Sequence, residues 1–143
     1  MAAALSGGRR AARLAGAATL AVAAAGCAAA TRPAPPAPVA LVGHVETGQA
    51  SWYGRPHHGR RTASGEVYDM YRLTAAHRSL PFGTRVLVTN LANRRTVEVR
   101  VNDRGPFKDG RVLDLSYAAA LALGAAGAGV VDVRLQVVAV PSP

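Results

Sequence analysis

Residues 85–107 read RVLVTNLANRRTVEVRVNDRGPF. Val86 and Val88 alternate with Arg85, Leu87 and Thr89, and Val97, Val99 and Val101 alternate with Thr96, Glu98, Arg100 and Asn102. Successive side chains on a strand point to opposite faces, so each run offers one valine face for burial and one face for water. The connection at 90–94 is short and polar, and the two runs predict a β-hairpin. A third alternating run follows near the C-terminus, where Val131, Val133, Leu135 and Val137 are separated by Asp132, Arg134 and Gln136. Residues 47–53 and 71–76 give weaker strand signals. One short helix is marked by Ser116 as N-cap, a body over 117–123 and Gly124 as terminator. Turn signals are dense, at Ser64-Gly65, Pro81-Phe82-Gly83, Asp103-Arg104-Gly105-Pro106 and Asp109-Gly110. Short strands, frequent turns and one helix favour a small β-barrel over a sandwich. No internal repeat is apparent.

Outward from this region, residues 42–140 form the globular part, about 100 residues and enough for one core. Residues 28–41 read as a tether, with TRPAPPAP at 31–38 unable to build a core. Residues 1–27 read as an export leader. Arg9, Arg10 and Arg13 precede an apolar stretch over 14–26, which is too short to span a bilayer. The stretch ends in Ala24-Ala25-Gly26-Cys27, similar to a bacterial lipobox except for Ala24 in place of the usual Leu. Cys27 is thus the predicted lipidation site, anchoring the exported protein to a membrane through acyl chains. It is also the only cysteine among 143 residues, which excludes an internal disulfide framework and a Cys-based zinc cluster.

The chain carries 17 Lys and Arg against 8 Asp and Glu, a net charge of +9. Loss of the three leader arginines leaves 14 basic residues and +6. Such a balance suits an anionic partner. The basic residues are scattered without a clustered patch or interleaved aromatics, and an exported protein rarely meets chromosomes; nucleic acid is not the expected partner.

Three blocks can carry chemistry. In ASWYG at 50–54, the adjacent Trp52 and Tyr53 face opposite sides of a strand, so one can pack inward and the other can stack on a sugar ring. The following loop, TASGE at 62–66, presents Glu66 at a turn open to solvent. In LTAAHR at 73–78, His77 stands at the exit of an apolar strand, placed to orient a neighbour. In VRVNDRGPF at 99–107, Asp103 ends a strand just before a Gly-Pro break and can be aimed from there, or can simply cap the turn. No nucleophile-elbow pattern surrounds Ser64, and the spacing of His57, His58 and His77 matches no usual zinc set.

In their combined order these blocks resemble the rare lipoprotein A family, septal-ring lytic transglycosylases of bacterial cell envelopes. The matching pieces are ASWYG at 50–54, the run at 58–107, and GRVLDLSYAAALALG at 110–124. The resemblance implies a mainly β fold, a six-stranded double-psi β-barrel with one short helix. It implies cleavage of the MurNAc-β-1,4-GlcNAc bond in glycan strands stripped of their peptides, with no metal or organic cofactor. It places function on Glu66, His77 and Asp103. Asp103 is the expected general acid, Glu66 a second carboxylate or a sugar ligand, and His77 the residue that orients either one. Trp52, Tyr53, Asn102 and Arg104 are expected to bind substrate, with Arg104 directed at the lactyl carboxylate of MurNAc. A carboxyl donating a proton near neutrality must be held above the reference of about 3.9, by burial or by a second carboxylate.

Two departures stand out. Many members carry a C-terminal sporulation-related repeat domain that has no counterpart before Pro143, so the expectation is either no septal recruitment or recruitment delegated to a partner such as a division protein or cell-wall amidase. Arg94 occupies a turn position where members often have Gly. Three rival readings stay open at this level: an expansin-like barrel that grips glycan without cutting it, a structural envelope lipoprotein, and a hydrolase that leaves reducing-end MurNAc.

Overall fold

The computed structural model describes residues 41–142. The predicted leader, Cys27 and all of the predicted tether but Leu41 lie outside the described residues. Six strands form a closed barrel: β1 (Val45–Tyr53), β2 (Thr74–Ala76), β3 (Arg85–Asn90), β4 (Thr96–Asp103), β5 (Arg111–Ser116) and β6 (Val130–Ala139). Around the barrel the order is β1-β5-β2-β4-β3-β6. A six-residue helix, α1 (Tyr117–Ala122), joins β5 to β6, and a single 3-10 turn, Arg55–His57, follows β1.

The hairpin forms as the alternation requires. Val86 pairs with Val99 and Val88 with Val97, and all four side chains are buried. Val133, Leu135 and Val137 of β6 and Leu113 and Leu115 of β5 complete the interior. Each such side chain contributes about 1.5–3 kcal/mol on full burial. The 90–95 turn closes with the Arg94 N–H on the Asn90 carbonyl, and Arg94 itself takes φ +64°. The side-chain amides of Asn90 and Asn93 both donate to the Leu123 carbonyl at the end of α1, 3.0 and 2.9 Å away. The turn therefore also caps the helix. At the other end of α1, the Ser116 hydroxyl accepts from the Ala119 N–H at 3.2 Å, the predicted N-cap.

Two features differ from the strand expectations. The weak run at 71–76 is a strand only over Thr74–Ala76, because Tyr71 and Leu73 lie at the surface. β5 is a full strand whose period-two signal is short, resting on Leu113 and Leu115 alone.

Two pairings are parallel, β1 with β5 and β2 with β4; the rest are antiparallel. Exchanging β1, β2 and β3 for β4, β5 and β6 reproduces every pairing and its direction. The barrel thus has an internal two-fold in topology, the double-psi arrangement, although the sequence shows no repeat. The order places β5 and β2 between β1 and β4, so residues of all four strands fall in one lateral row.

Candidate active site

One row of backbone partners across four strands builds the site. Ser51 of β1 stands opposite Asp114 of β5, Asp114 opposite Ala76 of β2, and Ala76 opposite Asp103 of β4. Asp103 and Asp114 are thus separated by a single strand, about 10 Å between backbones at the usual strand spacing. The residue between them has only a methyl side chain, which leaves the space above it open. Both carboxylates line a cleft of about 600 Å³, with Ser51, Trp52, Tyr53 and four arginines (Arg60, Arg61, Arg104, Arg111).

Strict alternation after Val97, Val99 and Val101 would carry Asp103 toward the core. The ladder breaks that phase: Val101 pairs with Ala75 but Asp103 with Ala76, so Asn102 is an extra, bulged residue. A bulge of this kind re-aims the residue that follows it. Asp103 is half-buried, and its Oδ1 accepts from the Arg104 N–H at 2.8 Å and the Ala63 N–H at 2.9 Å. No hydrogen bond to its Oδ2 is made among the described residues. Asp114 Oδ1 accepts from the Ser51 hydroxyl at 2.5 Å, and the Arg111 guanidinium holds Ser51 in turn at 2.7 Å. Tyr53 also lines the cleft. Its buried hydroxyl has no partner, and burial pushes the phenol well above its ordinary value, helped by the charges of Asp103, Tyr68 and Asp114. Tyr68 stacks on it at 4.4 Å, donates to the Tyr53 carbonyl, and is pushed up to about 12 by its own burial.

Glu66 lies elsewhere. Its two oxygens accept from the Arg100 guanidinium at 2.8 and 3.0 Å, and Oε2 also accepts from the Asn102 amide at 3.0 Å. These hydrogen bonds hold its carboxyl below the ordinary 4.5. Glu66 and Asn102 line a separate polar hollow with Thr74 and Arg72, away from the cleft that holds Asp103.

His77 touches neither acid through its ring. The ring is buried, its Nδ1 accepts from the Ser79 and Leu80 N–H groups at 3.1 and 3.0 Å, and its Nε2 donates to Glu46 at 2.8 Å. Two donors on Nδ1 fix the proton on Nε2. The link to the site runs through backbone: the His77 N–H donates to the Asp103 carbonyl at 3.2 Å. Arg104, expected to reach for substrate, instead donates from Nη1 to the Leu80 and His77 carbonyls at 2.9 and 3.3 Å, with its guanidinium over the Phe82 ring. Its charge stays on the wall of the cleft. Arg78 ties down the next loop by donating to the carbonyls of Pro106, Lys108 and Arg111.

Trp52 and Tyr53 diverge as adjacent strand residues must. The indole lies 5.3 Å from the Tyr117 ring at the edge of the core, while Tyr53 lines the cleft that holds both aspartates and stacks on Tyr68. The three histidines weighed as a zinc set go to different places: His57 to the cleft wall, His58 onto the Met70 N–H, His77 onto Glu46. Among the described residues no group of three or more His, Cys, Asp or Glu is placed to hold a metal ion.

The sequence reading missed Asp114, Ser51, Arg111 and Glu46. Asp114 sits between Leu113 and Leu115 in ordinary alternation, so its sequence context carried no signal of its role.

The sequence profile of the lytic transglycolase family matches residues 45–135, the whole span from β1 into β6. The chain belongs to that family. Among its lytic transglycolase relatives, the endolytic peptidoglycan transglycosylase RlpA of Vibrio cholerae is 54% identical over 101 residues, 71% of this chain. A probable endolytic peptidoglycan transglycosylase RlpA of Synechocystis is 58% identical over 99 residues, 69% of this chain. This chain spans only 38% and 31% of the length of those two relatives. Among solved structures, a Streptomyces papain inhibitor superposes with a TM-score of 0.56 at 28% identity, covering 68% of this chain and 96% of the inhibitor. An expansin of Clavibacter michiganensis superposes with a TM-score of 0.55 at 25% identity, covering 70% of this chain and 53% of the expansin.

Proposed function

We propose that this domain is an endolytic peptidoglycan lytic transglycosylase. It cleaves the MurNAc-β-1,4-GlcNAc bond of peptide-stripped strands and leaves 1,6-anhydro-MurNAc ends. The observation that carries the reading is the pair Asp103 and Asp114, on strands either side of Ala76 in an arginine-lined cleft. Membership of the family and the names of relatives at 54% and 58% identity support it.

In this mechanism Asp103 gives its proton to the glycosidic oxygen, and the C1–O bond breaks with its electrons going to the departing GlcNAc. Positive charge develops at MurNAc C1, facing the Asp114 carboxylate. The C6 hydroxyl of the same sugar then closes onto C1, and its proton returns to Asp103. One carboxyl serves as acid and then as base because the two transfers are sequential. No water is consumed. Glu66, saturated by Arg100 and Asn102, braces the bulge that aims Asp103. His77 acts as a positioning residue through the Asp103 backbone. The arginines attract the free lactyl carboxylates that peptide removal exposes. The protein works in the cell envelope on the periplasmic side, tethered by a lipid on Cys27, with a division protein or cell-wall amidase directing it to stripped glycan at the septum.

A second reading has an observation in its favour: the same barrel is found in an expansin and in a papain inhibitor, so the fold by itself does not assign activity. Product analysis separates the two. The domain is incubated with intact sacculi and with amidase-stripped glycan, and the products are weighed by mass spectrometry. Anhydro-disaccharide ends on stripped glycan support the lyase, products heavier by one water identify a hydrolase, and intact strands leave only a glycan-gripping barrel.

A further inference from the structure

Beside the acid cleft runs a second groove of about 710 Å³, lined by Trp52, Arg55, Pro56, Met70, Tyr71 and Tyr117. Trp52 lines both, so the two hollows meet at the indole. The groove has a different chemistry from the cleft. Its walls are three aromatic rings, a proline and a methionine, with one guanidinium at the edge. Tyr71 is 62% exposed, with the His58 ring set edge-on to it at 5.8 Å. Gly54 keeps the surface flat: a Cβ there would sit 2.9 Å from the Trp52 ring. Arg55 has no acidic partner among the described residues.

Sugar rings carry an apolar face of axial C–H bonds that stacks on aromatic surfaces, and pockets for such ligands combine apolar walls with a few placed polar groups. We propose that this groove holds the saccharides adjoining the cleaved bond on the same stripped glycan strand. Their ring faces lie on Trp52, Tyr71 and Tyr117, and a lactyl carboxylate meets Arg55. The inference rests on the glycan reading of the acid cleft and extends it. Two observations select this occupant over an apolar peptide or lipid: the groove adjoins the carboxylate cleft at Trp52, which lines both, and its single charged wall is cationic, complementary to an anionic polymer. The groove thereby makes the domain a reader of strand length, since a short oligosaccharide fills the cleft alone.

Trp52 is the only tryptophan of the chain, so its fluorescence reports occupancy without labelling. The full chain carrying Asp103→Asn is titrated with amidase-stripped glycan strands, with short stripped fragments, and with uncharged chito-oligosaccharides. Long strands are expected to shift the emission saturably. Tyr71→Ala should weaken their binding about 2- to 13-fold, the range for loss of one aromatic contact, and leave short fragments unaffected. Arg55→Ala should weaken stripped glycan but not chito-oligosaccharide. Gly54→Ala, which displaces the indole, should weaken long strands more than short ones. Unchanged affinity of long strands for both Tyr71→Ala and Arg55→Ala, in folded protein, overturns the groove assignment. A saturable, Tyr71-dependent signal in a domain whose unmodified form cleaves nothing would uphold the groove and reject the lyase. Cleavage that ignores Tyr71 and Arg55 would do the reverse.

Discussion

Asp103 and Glu66 are held by opposite ends of one short loop, and their surroundings could hardly differ more. The Ala63 N–H steadies one oxygen of Asp103 and no described residue bonds the other, which belongs to a carboxylate lining the cleft. Three residues further on, Glu66 accepts from both arms of Arg100 and from Asn102, and its charge is locked in place. A carboxyl that must give and recover a proton needs the first environment. A carboxylate that must hold a bulge in position needs the second. The contrast supports the proposed division, chemistry at Asp103 and bracing at Glu66, where the family resemblance left Glu66 as either a second carboxylate or a sugar ligand.

The largest effect expected from breaking this contrast is at Asp103. Asp103→Asn keeps shape and hydrogen bonding but has no transferable proton, and should lower turnover on stripped glycan at least about 100-fold. Affinity for glycan, read by tryptophan fluorescence, should persist. His77→Ala comes next. It strips the acceptor from the Ser79 and Leu80 N–H groups and should cost about 1–3 kcal/mol of stability, seen in urea denaturation, with activity falling as the Asp103 backbone loosens. Glu46→Gln keeps an acceptor for the His77 Nε2–H and should stay close to wild type on both measures.

Glu66→Gln sharpens the other side of the comparison. The Glu66 carboxyl is lowered in the folded state, so it stabilises the fold above the ordinary value of 4.5, and that stabilisation is lost as pH falls through the lowered value. The gap in melting temperature between wild type and Glu66→Gln should therefore shrink on acidification from about pH 6 to about pH 3. The group is partly exposed, so the gap itself should be modest. The smallest effect on the fold is expected at Tyr53: its buried hydroxyl has no partner, so Tyr53→Phe should melt at or slightly above the wild-type temperature, checked by calorimetry.

The hairpin, β6 and the helix caps were legible because period-two alternation and capping act within a few residues. Asp103 was legible too, as a strand-end acid before Gly105-Pro106. Asp114 was hidden because what gives it meaning is the parallel register that brings Ser51 across from it, 63 residues away in sequence. The same holds for Glu46, whose partner His77 is 31 residues distant. His77 pointed to an orienting role; that it faces Glu46 rather than either acid depends on the 77–80 turn folding two N–H groups onto its ring. The bulge at Asn102 left no mark in the alternation, and the topological two-fold left none in composition. Local patterns report which face of a strand is buried; they do not report which strand lies next to it.

The central claim is that Asp103 supplies a proton to the leaving group. The most direct measurement compares wild type with Asp103→Asn on two substrates: stripped glycan, and a MurNAc glycoside whose nitrophenolate leaving group departs without protonation. Because the C6 hydroxyl gives up its proton only after the C1–O bond has broken, the account predicts a loss of at least about 100-fold on glycan and of less than about 10-fold on the activated glycoside, both in protein shown folded by circular dichroism. Equal losses on the two substrates would contradict it, and would mean that Asp103 positions substrate while another group moves the proton.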